Sequence, residues 1–439
     1  MRPENQQRPG LLTREPAKGY RTFLVILLAL RIVSYYMLGD SVVVVQTIKA
    51  GLRIALTVTV AIAIFVESRP KNRFFGHIKN PLPVWLYGLY LGLGAASLLW
   101  TTGFMSSVLQ WLMDAEGFAF AALYVGLLGM YNRRHPGGYF ALHKIIAPAV
   151  LLNGLGFFIG LYIDPDHFYR LTHGGAVSRL GGFIINPNEL GMLLVAGIAC
   201  FLPLIQKDGK IRVSILLYIG FLTHLLLLTG SRSSFIGLVM VLIVYALTGQ
   251  SRLQRTIVFG SALALVPLAG WSFFVKQDQI TELFTLTGRL PFWHDLLTYN
   301  FPQEPWLGYG YMRIDYADKF ESINAYAGAM THNTFLQVLL GLGLTGLMVV
   351  LVQLSVFLWT LRRVADFPTR RIAWLLLIPL VVNSFTEFGI FGETNYGILF
   401  YLMIVFSVSG ETLSESRRIR ETTHHETKPG IPYRPAYSS

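Results

Sequence analysis

The sequence predicts an all-α polytopic membrane protein. Of its 439 residues, 53% are hydrophobic and only 14% are charged, and the apolar residues fall in long blocks. A soluble chain carries about a quarter charged residues in short periodic stretches, whereas apolar runs of about 18 or more residues read as bilayer spans. About twelve transmembrane helices are expected on this basis. They lie near 22–38, 42–66, 82–100, 104–130, 140–163, 188–205, 212–228, 233–248, 256–275, 332–360, 372–390 and 394–410. In the second block, Lys49 and Arg53 interrupt the apolar run, which sets its first turns near the membrane interface.

Charge asymmetry orients the spans. With the N-terminus inside, the inner segments hold 25 Lys and Arg and the outer segments hold 7; Arg31, Lys49, Arg53 and Lys144 lie within spans. This bias is what the positive-inside rule expects. The net charge of +12 therefore reports topology and contact with the lipid bilayer, and nucleic acid is not an expected partner. Polar tails (1–20 and 411–439) are expected to be disordered and cytoplasmic, flanking a membrane domain over 21–410. The first apolar block, without a small-residue cleavage site, reads as an uncleaved signal anchor. The single cysteine, Cys200, lies mid-span and offers neither a disulfide within the chain nor a thiol metal site.

Function is expected at the outer face, where two segments exceed the length of a connecting loop: 164–187, and the 56 residues of 276–331 between spans nine and ten. Eleven of those 56 residues are aromatic, Trp293, Trp306 and Tyr309 among them. Rings with a polar edge suit the alternating apolar and hydroxyl faces of sugars, although an interfacial aromatic belt has the same composition. The segment has seven carboxylates against four bases, so Arg289, in Thr287-Gly288-Arg289, is not part of a generic basic patch. Arg232 sits in Thr229-Gly230-Ser231-Arg232-Ser233-Ser234, and Arg179 precedes Gly181-Gly182 and the helix-capping Asn186-Pro187-Asn188. An arginine near hydrocarbon is costly and has a partner or a task. Guanidinium groups grip phosphate oxygens bidentately, so several at one face point to a lipid-linked phosphate or pyrophosphate. Pairing of Arg179 with Glu189, or of Arg289 with Asp295, is the structural alternative. His332, followed by Asn333 at the start of span ten, is placed to accept a proton from a hydroxyl or to hold a phosphate; a helix-end cap is its bland reading.

Four ordered pieces together resemble the O-antigen ligase and O-antigen polymerase superfamily of bacterial envelope glycosyltransferases. They are Arg179 through Asn186-Pro187-Asn188-Glu189-Leu190-Gly191; Thr229-Gly230-Ser231-Arg232-Ser233; Gly288-Arg289 with Trp293 and Pro305-Trp306-Leu307-Gly308-Tyr309-Gly310; and His332-Asn333 with Gly343 and Gly346. The resemblance spans Arg179 to Gly346; the first 170 residues match only in hydropathy. It implies a GT-C-like fold in the bacterial inner membrane. The activity implied is transfer of a glycan from undecaprenyl pyrophosphate to an acceptor such as lipid A–core, with no metal, nucleotide or other cofactor. It further implies that Arg232 and Arg289 bind pyrophosphate, that His332 is catalytic, and that Arg179 holds or orients the donor. Asn188, Gly288, Trp293, Trp306, Tyr309 and Asn333 join these as expected substrate contacts. Where the family often carries a glutamate nine residues after the histidine this chain has Gly341, and Glu387 or Glu393 is the expected substitute.

Asp164-Pro165-Asp166 reads as a metal-binding pair or as ordinary turn chemistry, the latter preferred. Three function classes remain: a ligase, a polymerase with the same chemistry and another acceptor, and a transporter or flippase of a lipid-linked or anionic substrate. No internal repeat is visible and the cations gather at one face, which favours transfer over transport.

Overall fold

The computed structural model describes residues 14–37, 42–67, 78–135, 140–172, 177–207, 210–249, 255–256, 260, 289–311 and 330–413. In chain order the elements are α1 (Arg14–Val33), α2 (Val42–Glu67), α3 (Leu82–Ala96, prolonged by a 3-10 turn to Leu99), α4 (Phe104–Arg134), α5 (Leu142–Ile163) and the short α6 (Pro165–Phe168). A hairpin of β1 (Tyr169–Thr172) and β2 (Val177–Leu180) follows, then α7 (Pro187–Phe201), the two-residue strands β3 (Gln206–Lys207) and β4 (Lys210–Ile211), α8 (Val213–Thr229) and α9 (Arg232–Leu247). The last described helices are α10 (Arg289–Asp295), α11 (Thr334–Arg363), α12 (Phe367–Ser384) and α13 (Tyr396–Ser409).

Eleven of the expected apolar blocks overlap one of these helices; the ninth, 256–275, falls outside the described residues except for 256 and 260. Six helices among the described residues are long and apolar enough to cross a membrane: α2, α3 with its 3-10 turn, α4, α5, α7 as continued by a 3-10 turn to Leu204, and α11. Three shorter apolar helices, α8, α9 and α13, stand beside them. Residues 14–20 of the expected N-terminal tail are helical. α1 starts at Arg14, Ala17 is already buried, and Arg21 Nη2 donates to the Lys144 carbonyl at 3.2 Å, so the polar first turns pack on the α5 end instead of leaving it. At the other terminus the ordered packing runs past 410: Leu413 bridges to Val364, and Asn80 Nδ2 donates to the Glu411 carbonyl at 2.7 Å.

α7 sits in the middle of the bundle. Every residue from Leu190 to Phe201 is buried, and the helix packs on α5, α8, α9 and α12. α2 lies at the periphery and exposes Ile48, Ile54, Val58, Ile62 and Phe65, an apolar face suited to lipid. The two ends of the bundle differ. One gathers Arg133 and Arg134 at the end of α4, Arg362 and Arg363 at the end of α11, and Arg370 and Arg371 in α12. The other gathers the capped N-termini of α7, α9, α11 and α13, where Asn186, Ser231, Asn333 and Asn395 each accept a backbone N–H.

The segment 164–187, expected at the outer face, is not a plain loop. Asp164 caps α6, accepting from the His167 N–H at 3.4 Å and pairing with His167 Nδ1 at 2.8 Å, and the β1–β2 hairpin follows with Arg170 opposite Arg179. That is turn chemistry. Among the described residues no three His, Cys, Asp or Glu converge as a metal site.

Three of the charged residues inside the spans, Arg31, Arg53 and Glu116, are paired with one another. Glu116 of α4 accepts from Arg31 Nη1 and Nη2 at 2.8 and 2.6 Å and from Arg53 Nε at 3.1 Å, while Thr57 Oγ1 donates to it at 2.5 Å. The triad ties α1 and α2 to α4 in a dry setting, where a charge persists only with a partner. Glu116→Ala leaves two buried arginines without their carboxylate and is expected to destabilise the protein by about 3–5 kcal/mol, read as a lower melting temperature in detergent; an unchanged melting temperature contradicts this account of the triad.

Candidate functional site

The site is built where the N-termini of α7, α9 and α11 meet the 385–395 segment between α12 and α13. Glu387 of that segment is 1% exposed. Its Oε1 accepts from Arg289 Nη2 at 3.0 Å and from Asn188 Nδ2 at 2.8 Å, and its Oε2 lies 2.6 Å from His332 Nδ1. Arg289 also donates to the Thr386 carbonyl. Asn188 passes the contact outward, since its Oδ1 accepts from Arg179 Nη2 at 2.6 Å. Arg179 Nε in turn donates to the Thr229 carbonyl at 2.7 Å, at the end of α8. The turn from Thr229 to Ser231 is therefore held against β2, and Arg232 opens α9 directly after it, half-buried.

Of the residues singled out in the sequence, Arg179, Asn188, Arg289 and His332 thus form one connected group with Glu387, and Arg232 lies at its edge. Gly288 lies outside the described residues. The aromatic residues divide. Trp306 is 66% exposed, whereas Tyr309 is buried and its hydroxyl donates to the Asn300 carbonyl at 2.7 Å. Trp293 is half-buried and donates from Nε1 to the Thr331 carbonyl at 2.6 Å, fixing the residue before His332. Asn333 caps α11, accepting from the Phe335 and Leu336 N–H groups at 2.9 and 3.1 Å. In these contacts Trp293 and Asn333 hold the residues on either side of His332, while Tyr309 is tied to the Asn300 carbonyl.

The Pro305–Gly310 motif has a structural cause. α11 is broken at Gly343, whose φ of 63° and ψ of −164° suit glycine. The break frees carbonyls that a regular helix would use: Leu340 accepts from the Tyr309 N–H at 2.9 Å and Gly341 from the Gly310 N–H at 2.8 Å. Beyond the break, the Leu344 N–H donates to the Pro305 carbonyl at 2.8 Å. A Cβ on Gly308 would stand 2.4 Å from the Leu340 carbonyl oxygen, so the approach needs glycine. Gly341 lies against this segment, its Cβ position 3.1 Å from the Gly310 carbonyl oxygen, and the carboxylate beside His332 comes from Glu387.

His332 has a left-handed backbone, φ 42°, a conformation that costs energy unless its surroundings impose it. Trp293 on the Thr331 carbonyl, Thr331 Oγ1 on Gln337 Oε1 (3.1 Å) and the Asn333 cap supply that constraint. Burial alone would raise the Glu387 carboxyl, but the charges of His332 and Arg289 and the hydrogen bonds from His332 and Asn188 outweigh it and hold it down at about 2. An ionised carboxylate can only accept, so the proton of a neutral His332 resides on Nδ1 and Nε2 presents its lone pair. The arrangement is a carboxylate–imidazole dyad flanked by guanidinium groups and helix N-termini. It can take a proton from a hydroxyl and stabilise an anion at one place.

Sequence reasoning named Glu387 only as a possible substitute and missed the Thr386 carbonyl, which no side-chain pattern signals. Because the Glu387 carboxyl titrates at about 2 in the fold against about 4.3 unperturbed, its charge contributes stability in full above about pH 4.3, and that contribution is lost as the pH falls towards 2. Glu387→Gln is expected to lower stability at pH 7 by about 2–3 kcal/mol and to flatten the acid limb of a melting-temperature profile. An unchanged acid limb contradicts the assignment.

No curated protein matches the chain. Residues 213–351 match the family model described as O-Antigen ligase, a stretch that begins at α8 and includes Arg232, Arg289 and His332, while Arg179, Asn188 and Glu387 lie outside it. The match takes in three of the four sequence motifs, all but Arg179 through Gly191, and supports the resemblance to the O-antigen ligase and polymerase superfamily over residues 213–351.

Proposed function

We propose that this chain is an O-antigen ligase-type glycosyltransferase. It moves a glycan from undecaprenyl pyrophosphate to an acceptor sugar, lipid A–core, at the periplasmic face of the bacterial inner membrane, with inversion and without a metal. The observation that carries the reading is the contact of Glu387 with both His332 and Arg289, 2.6 and 3.0 Å away. It joins a proton acceptor and an anion-binding cation through one buried carboxylate.

In the proposed reaction the acceptor hydroxyl loses its proton to His332 Nε2 as its oxygen bonds to the anomeric carbon. The bond from that carbon to the pyrophosphate oxygen breaks, and undecaprenyl pyrophosphate leaves with the electron pair. Glu387 holds the imidazole in the correct tautomer and stabilises the imidazolium that forms. Pyrophosphate is a good leaving group, so the departing side needs charge stabilisation more than a proton. Arg289 and Arg232 supply it, and Arg179 with Asn188 orients the donor. Polymerisation uses the same steps with a second lipid-linked glycan as acceptor, and the family match is equally consistent with it.

The test is transfer by the purified protein in detergent with chelator present, offered lipid A–core and lipid-linked repeats as separate acceptors. A glycan–core product supports the ligase; longer lipid-linked chains alone support the polymerase. His332→Ala is expected to lose about 10²–10⁴-fold in rate while donor binding stays within twofold, and full activity removes the role of His332. Arg232→Ala and Arg289→Ala are expected to weaken donor binding by about tenfold or more each; unchanged binding in both refutes the pyrophosphate clamp.

A further inference from the structure

Beside the dyad lies a second group of charged and polar side chains that the proposed reaction does not use. The buried face of α2 is a stripe at helical spacing: Val45 (2% exposed), Arg53 (2%), Leu56 (7%) and Val60 (0%). Lys49 belongs to the same stripe, one turn before Arg53, yet it is half-exposed, so the face opens at this point. Its hydrogen bond goes to Met37 Sδ at 3.5 Å, a weak acceptor, and among the described residues no carboxylate lies at ion-pair distance from it. The charged groups that face it are Glu189 in the first turn of α7, Glu393 of the 385–395 segment and Arg53, the last already held by Glu116.

Among the described residues the hydrogen bond to Glu189 comes from Asn395 Nδ2, at the long distance of 3.4 Å. The Lys49 ammonium and the Glu189 carboxyl are thus within electrostatic reach of each other without a direct contact. A third group points to a ligand there. The hydroxyl of Tyr396, at the start of α13 and 0% exposed, has no hydrogen-bond partner among the described residues and lies within electrostatic reach of Glu189 and Glu387. A buried hydroxyl left unpaired costs about 1–3 kcal/mol and is retained where something else pairs with it.

We infer that Lys49, Glu189, Glu393 and Tyr396 line a subsite for a neutral, hydroxyl-bearing sugar ring of the acceptor. Two carboxyl groups, an ammonium and a phenol hydroxyl together offer donors and acceptors that suit vicinal hydroxyls. The subsite is built from α2, α7, the 385–395 segment and α13, whereas the guanidinium groups come from β2, α9 and α10. The inference rests on the transfer reading and adds the acceptor's binding place.

The experiment measures KM separately for an undecaprenyl-pyrophosphate glycan and for lipid A–core, or for a lipid-linked repeat where that is the acceptor used. Tyr396→Phe removes only the hydroxyl, and Lys49→Met keeps the length of the side chain; melting temperature reports whether each variant folds. Each is expected to raise the acceptor KM by roughly three- to tenfold, with the donor KM within twofold. A rise in the donor KM alone, or no change in either constant in well-folded variants that still transfer, overturns the subsite while leaving the transfer reading intact. Wild-type protein that transfers nothing to any acceptor overturns both.

Discussion

A carboxylate withdrawn from water survives as an anion only among opposing charges and donors, and in this protein Glu387 is that carboxylate. Three elements far apart in the sequence reach it: Asn188 from the start of α7, Arg289 from α10 and His332 from the approach to α11. Without the charge, Arg289 loses a partner, the His332 ring loses the acceptor that sets its tautomer, and Asn188 loses the bond that turns its other end towards Arg179. The same interaction thus holds the helix ends together and gives the histidine its chemistry.

Around that carboxylate the bundle presents the N-termini of four helices, each capped by an Asn or Ser side chain. Their dipoles leave positive potential at one end of the bundle, while the bonds that bind them to each other, such as Ser234 Oγ to the Asn188 carbonyl and Thr334 Oγ1 to the Phe391 carbonyl, keep the ends in register. The break in α11 serves the same end. By freeing the Leu340 and Gly341 carbonyls it docks the 305–311 segment beside the site, and Trp293 pins the residue before His332. A left-handed histidine is tolerable in such a frame, and its strain is consistent with a position kept for chemistry.

The helices were legible because bilayer thickness imposes a minimum apolar length, and a run such as Leu142–Ile163 satisfies it directly. Arg179, Arg232, Arg289 and His332 were legible because polar groups near hydrocarbon need a reason. Glu387 was harder: an acid in a short loop is ordinary until its three partners are known to converge, and convergence is a tertiary fact. The aromatic residues were ambiguous for the opposite reason. Composition cannot separate Trp306, which is exposed, from Tyr309, whose hydroxyl is held by a backbone carbonyl. Lys49 reads as an interfacial lysine from its position alone; its meaning depends on Glu189 and Tyr396, which come from elements about 140 and 350 residues further along the chain.

The most direct test of the dyad is a double-mutant cycle in the transfer reaction, comparing His332→Ala, Glu387→Gln and the double variant with wild type. If Glu387 acts through His332, the double variant is no slower than His332→Ala alone, because removing the imidazole already removes what the carboxylate orients. Losses that multiply across the cycle would mean that the two residues act independently, which contradicts the account.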